Sequence, residues 1–96
     1  MPRKNPETKF KESVVEDLKT LPDAWFEKIQ QVSIRGTPDF VICKAGVFIG
    51  LELKVDSELT KLQNHKLNLI KKAGGRAYSV TPKTWKRVFQ EIKEIK

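Results

Sequence analysis

The sequence predicts an α/β domain with its elements in the order α-β-β-β-α-β-α. Three observations carry that prediction. Apolar residues recur at helical spacing between Pro6 and Leu21. Two short apolar runs flank the break Lys44-Ala45-Gly46, which reads as a β-hairpin. Thr60-Lys61-Leu62-Gln63 matches the capping box that starts a helix. With 96 residues, the chain fits a basic arm over residues 1–5 and a single small domain over residues 6–96.

Taken in order, Pro6-Glu7 opens the first helix, with Phe10, Val14, Leu18 and Leu21 on one side, and Pro22 stops it. Trp25 to Ile34 alternates as a first strand, and the loop from Ser33 to Pro38 leads into the hairpin. Val55-Asp56-Ser57-Glu58 is a polar loop. The second helix runs from the capping box to about Ala73, where Gly74-Gly75 supplies a stop. Arg76 to Val80 is a short strand. Thr81-Pro82 is a cap with proline at the first helical position, and the last helix buries Trp85, Val88, Phe89, Ile92 and Ile95.

Lysine and arginine total 19 against 12 acids, a net charge of +7 with a pI near 9.7. Such an excess favours a polyanionic partner, most often nucleic acid. Cys43 is the only cysteine, so no intrachain disulfide forms, and its place in an apolar strand predicts a small buried hydrophobe. One cysteine and one histidine exclude a zinc site built from those residues. No apolar run approaches a membrane span, and no apolar signal core follows the N-terminus, so an intracellular, soluble protein with no membrane partner is expected.

The hairpin carries the chemistry. With a two-residue turn at Ala45-Gly46, Lys44 pairs with Val47, and the same register sets Asp39 opposite Glu52. Their Cβ atoms would then lie roughly 4.5–5.5 Å apart. Lys54 shares the face of Glu52, two residues on. A three-residue turn would shift the register and separate the acids. Two carboxylates this close repel, and one tends to stay protonated. A hard divalent cation removes the conflict, because Mg²⁺ takes oxygen ligands and keeps several waters. Lys54 would then orient or deprotonate a water or hold a phosphate oxygen, which is the equipment for metal-assisted phosphodiester hydrolysis. The plain alternative is an edge hairpin with a solvated acid-lysine face.

The stretches Arg35-Gly36-Thr37-Pro38-Asp39, Glu52-Leu53-Lys54, Leu62-Gln63 and Ala73-Gly74-Gly75, in this order of elements, form a set. Over roughly residues 6–80 that set resembles the PD-(D/E)XK nuclease superfamily and, within it, the small stand-alone VRR-Nuc proteins of phages and bacteria. The resemblance implies a restriction-endonuclease-like αβββαβ core, a mixed sheet flanked by helices, here with an extra C-terminal helix. It implies a Mg²⁺- or Mn²⁺-dependent endonuclease. It also implies a homodimer acting on branched DNA, Holliday (four-way) junctions included, in the cytoplasm of a bacterial or phage-infected cell. Two other readings stand beside it: a less specific repair or restriction nuclease on duplex or flap DNA, and a non-catalytic DNA-binding module.

By this resemblance Asp39 and Glu52 ligate the metal with the Leu53 carbonyl, and Lys54 serves the attacking water. A first-helix glutamate completes the set in such nucleases. Phe10, Val14 and Leu18 follow Glu7 by three, seven and eleven residues, so Glu7 shares the buried face, whereas Glu12 and Glu16 do not. The bland reading of Glu7 is a helix-start acid favoured by the macrodipole. Gln63 matches the family glutamine that holds a water or phosphate, and equally the last residue of the capping box. His65 reads as a solvated helix residue. Lys61 and Lys66 are DNA-binding candidates or simply the polar face of the second helix. Arg35, in the loop before the motif, is placed to clamp a phosphate. Phosphate contacts carry no sequence information, so recognition by DNA structure is expected over recognition by base.

Overall fold

The hairpin closes through Ala45 and Gly46, at φ 51° and 82°. Positive φ at both turn residues matches the right-handed twist of two joined strands, and glycine adopts it freely. Lys44 pairs with Val47 as a two-residue turn requires, and the ladder runs on to Phe40 opposite Leu51. In the computed structural model, which describes residues 5–29 and 36–96, four strands form one sheet. They are β1 Ala24–Lys28, β2 Phe40–Lys44, β3 Val47–Leu53 and β4 Arg76–Val80, side by side in chain order. β1 and β3 run antiparallel to β2, and β4 runs parallel to β3, so the sheet is mixed.

Three helices flank it: α1 Pro6–Leu18, α2 Lys61–Lys72 and α3 Trp85–Lys93. The Asn5 side chain caps α1 by accepting the Thr8 amide at 2.7 Å, with Pro6 in the first turn. This helix ends three residues before the expected Leu21. The Thr20 hydroxyl bonds the Asp17 carbonyl at 2.6 Å, and Leu21 precedes Pro22, which disfavours helical backbone there. Leu21 is buried all the same. Among the described residues β1 ends at Lys28. The far half of the expected strand to Ile34, together with Arg35, lies outside the described residues.

At the third helix the structure corrects the start from Pro82 to Trp85. The N-cap moves with it, from Thr81 to Thr84, whose side chain makes no bond into the helix. The Thr84 hydroxyl accepts the Thr81 amide at 2.9 Å, the Thr81 hydroxyl accepts the Thr84 amide at 3.3 Å, and the Trp85 amide reaches the Thr81 carbonyl at 2.9 Å. Pro82 to Thr84 form a turn inside this reciprocal pair.

α1 and α3 cover one face of the sheet. Phe10, Val14 and Leu18 from α1 and Trp85, Val88 and Ile92 from α3 meet Phe40, Ile42, Ile49 and Leu51 in one core. Phe89 is only half-buried, against the Trp85 ring at 5.4 Å. α2 packs against β3 and β4 on the other face. Gly50 allows that approach, because a Cβ there would stand 2.5 Å from Ile70 Cδ1 and 3.3 Å from Pro38 Cγ. The β1–β2 side of this face carries Trp25, Cys43 and Phe48 in adjacent register, all exposed. Cys43 is therefore not the buried hydrophobe its strand suggested: alternation turns it to the face that α2 covers only over β3 and β4. Among the described residues no helix is long and apolar enough to cross a membrane.

Candidate functional site

Asp39 precedes β2 by one residue, and the hairpin register continued one step sets it opposite Glu52 in β3. The Leu53 amide donates to Asp39 Oδ2 at 2.7 Å. That bond fixes the aspartate against the third strand. Glu52 lies next along β3 and is only 4 % exposed, because it projects between the sheet and the start of α2.

Gln63 is the last residue of the capping box, and its side chain also reaches Glu52. Its side-chain oxygen accepts the Thr60 amide at 3.0 Å, while the Thr60 hydroxyl accepts the Gln63 amide at 3.1 Å, which completes the capping box. The remaining donor, Nε2, points to Glu52 Oε1 at 3.3 Å. The amide orientation follows from chemistry, since the oxygen faces an N–H and the NH₂ faces a carboxylate. Glu52 Oε2 is buried and has no hydrogen-bond partner among the described residues. A buried carboxylate oxygen without a partner is costly, and native proteins leave few of them unexplained.

Charge compounds the strain. Burial first, then the Asp39 carboxylate beside it, push the Glu52 carboxyl up to about 8. Lys54 and Lys11 pull in the opposite direction. Lys11 was not singled out in the sequence. It lies four residues after Glu7, one helical turn on, and that spacing was the available signal.

Lys54, half-buried at the end of β3, donates its backbone amide to the Val80 carbonyl at 2.8 Å. Its side chain lines a cleft of about 330 Å³ with Asn5, Glu7 and Ser57. Glu7 thus reaches the lysine end of the site, while Glu12 and Glu16 line a separate cleft with Lys28. No group of three His, Cys, Asp or Glu side chains among the described residues is close enough to hold a metal, so Asp39 and Glu52 form a pair and Glu7 stands apart. A pair suits Mg²⁺, which binds through one or two carboxylates and keeps its remaining places for water and phosphate. Asp39 and Glu52 thus offer carboxylate oxygens of the kind a hard divalent cation takes.

The other sequence candidates distribute plainly. Lys61 is exposed and lines a second cleft beside Lys54. Lys66 is half-buried on α2 and lines neither cleft at Lys54. His65 is exposed, as a solvated helix histidine should be. Arg35 lies outside the described residues.

No protein-family model matches the sequence, and no curated protein matches it. A solved structure described as a VRR_NUC domain is similar over 94% of this chain and 97% of that one, with a TM-score of 0.73 and 19% sequence identity. In its fold, a mixed sheet flanked by helices, the chain is similar to that solved VRR_NUC domain.

Proposed function

We propose that this chain is a Mg²⁺- or Mn²⁺-dependent DNA endonuclease that hydrolyses phosphodiester bonds in branched DNA. In this reading it resolves four-way junctions as a homodimer, in the cytoplasm of a bacterial or phage-infected cell. Residues 6–96 form the one nuclease domain behind a basic arm of residues 1–5. The observation that carries the proposal is the buried Glu52 carboxylate, opposite Asp39 and two residues from Lys54, with one oxygen held by Gln63 and the other without a partner. The fold of a solved VRR_NUC domain supports the same class of activity.

Asp39 and Glu52 would hold the cation, with the Leu53 carbonyl, and Glu7, which stands apart from that pair on the Lys54 cleft, would reach it through a water. Once bound, a divalent cation supplies Lewis-acid polarisation of the phosphoryl oxygens. The chain's own groups do the rest. The Leu53 amide and the Gln63 NH₂ keep the two carboxylates in fixed orientations. Lys54 would position the attacking water or a phosphate oxygen through its ammonium or, as the neutral amine, take the water's proton and become the ammonium. Lys61 meets a neighbouring phosphate as a point charge, and Lys66 and Arg35 are assigned to the DNA backbone on the sequence pattern alone.

Purified protein is to be tested on duplex, flap, fork and four-way junction DNA, with EDTA and with each metal. Cleavage should require Mg²⁺ or Mn²⁺, favour the junction, and vanish in Asp39→Ala and Glu52→Ala while DNA is still bound. Full cleavage in EDTA would defeat the mechanism. Equal cutting of linear duplex by a monomer in light scattering would replace it with a repair or restriction nuclease. Binding without cleavage under every condition would leave a DNA-binding module.

A further inference from the structure

Two clefts meet at Ser79. The first, about 470 Å³, runs from Lys54 past Lys61 and Asn64 to Ser79 and Thr81. The second, about 510 Å³, continues from Ser79 along β4 toward Lys71 at the end of α2, Arg76 in β4 and Arg87 in α3. In the parallel register Ser79 lies beside Glu52, so the meeting point is level with the acidic pair. β4 is an edge strand, and its outer side follows the second cleft.

Charge along this path is lopsided. Five cations, Lys54, Lys61, Lys71, Arg76 and Arg87, stand against two acids, Glu58 and Glu91. They come from three elements, α2, β4 and α3, and from the residue that follows β3, and converge on one groove. The polar face of a single helix would not produce that arrangement. Ser79, Thr81 and Asn64 between the cations are short hydrogen-bonding groups of the kind that meet phosphate and sugar oxygens. The six residues from Arg76 to Thr81 span about 17 Å of extended chain, room for several consecutive phosphates.

We infer that a nucleic-acid strand flanking the cleaved bond lies along the β4 edge, running from Lys54 past Ser79 to Arg76 and Arg87. The inference rests on reading Asp39, Glu52 and Lys54 as the cleavage site, and it adds the direction in which the substrate leaves that site. Contacts along the track are to the backbone, so they hold any sequence and weaken with salt. Arg76 and Arg87 are exposed and touch neither acid of the site, so they act on strand binding and not on the bond-breaking step.

The test uses full-length protein and labelled junction DNA in EDTA, where binding is read without cleavage. A double variant, Arg76→Glu with Arg87→Glu, is compared with Lys9→Glu plus Lys86→Glu, an equal charge change at exposed residues that line neither cleft. Thermal unfolding checks that both variants fold. The track variant should bind at least about tenfold more weakly at low salt, with the slope of log affinity against log salt reduced by about two. The control should stay within about twofold of the parent. Equal losses in the two variants, or none in either, would overturn the track. So would labelled poly-glutamate losing more affinity than DNA, which would mark the groove as a site for an acidic protein segment. If the parent binds DNA along the track yet cleaves nothing with either metal, the track stands and the nuclease reading falls.

Discussion

A carboxyl that holds its proton near neutrality makes Glu52 the residue on which stability and chemistry oppose each other. Its ordinary value of 4.5 applies in the unfolded chain, and burial and Asp39 raise it to about 8 in the fold. The folded form therefore binds the proton more tightly. The associated stability is complete below about pH 4.5 and is lost as pH rises through about 8. Glu52→Gln keeps the shape and the hydrogen bond from Gln63 but cannot ionise. In EDTA, the variant should gain on the parent as pH goes from 5 to 8, by on the order of 2–4 kcal/mol. Adding Mg²⁺ at pH 8 should close part of that gap, because only the charged carboxylate binds the ion. Thermal unfolding at both pH values measures this, and parallel curves for the two proteins would show that Glu52 is not strained. Cleavage should be lost in the more stable protein, the trade expected when a site holds a charge the fold disfavours.

At the scale of elements, α1 sorts its acids by angle. Glu7 lines the cleft of Lys54, and Glu12 and Glu16 line another with Lys28. Glu7→Gln should reduce the cleavage rate tenfold or more, while Glu16→Gln should change it less than about threefold; a larger effect at Glu16 would mean that α1 serves the site by a different face. Helical phase relative to Phe10, Val14 and Leu18 separates the three acids in the sequence, but Glu7 at the helix start is exposed and does not share their burial. The hairpin register was legible because Ala45-Gly46 is local and fixes every pair from Lys44 back to Asp39. Features set by which element covers which face were not. Cys43 looks buried until α2 is seen to pack on β3 and β4, and Lys11 gains its meaning only when α1 crosses near Glu52. The start of α3 was misjudged because the proline rule describes a preference, and the Thr81–Thr84 pair forms its own turn first.

Across the whole molecule the sheet has a chemical end and a structural end. Asp39 and Glu52 occupy one, and the Ala45-Gly46 turn occupies the other, about 17 Å away along β2. Beside that turn, Lys44 is 3 % exposed, and its ammonium donates to Asp23 Oδ2 at 2.8 Å and to the Ile95 carbonyl at 2.7 Å. One side chain thus ties the hairpin to the segment before β1 and to the end of the chain after α3. The hydrogen bond from Lys44 holds the Asp23 carboxyl below its usual range, so this contribution is present at neutral pH and is lost as pH falls through the acid range. Lys44→Met fills similar volume but removes both hydrogen bonds and leaves the Ile95 carbonyl without its donor. The cost should be about 1–3 kcal/mol in denaturant unfolding. Because the acids are fixed separately, by the Leu53 amide and by Gln63, the folded variant should cleave DNA at the parent rate. Rate measurements well below the unfolding midpoint decide the matter: a rate that falls along with stability would mean the two ends of the sheet are coupled, and that the site depends on how the chain terminus is anchored.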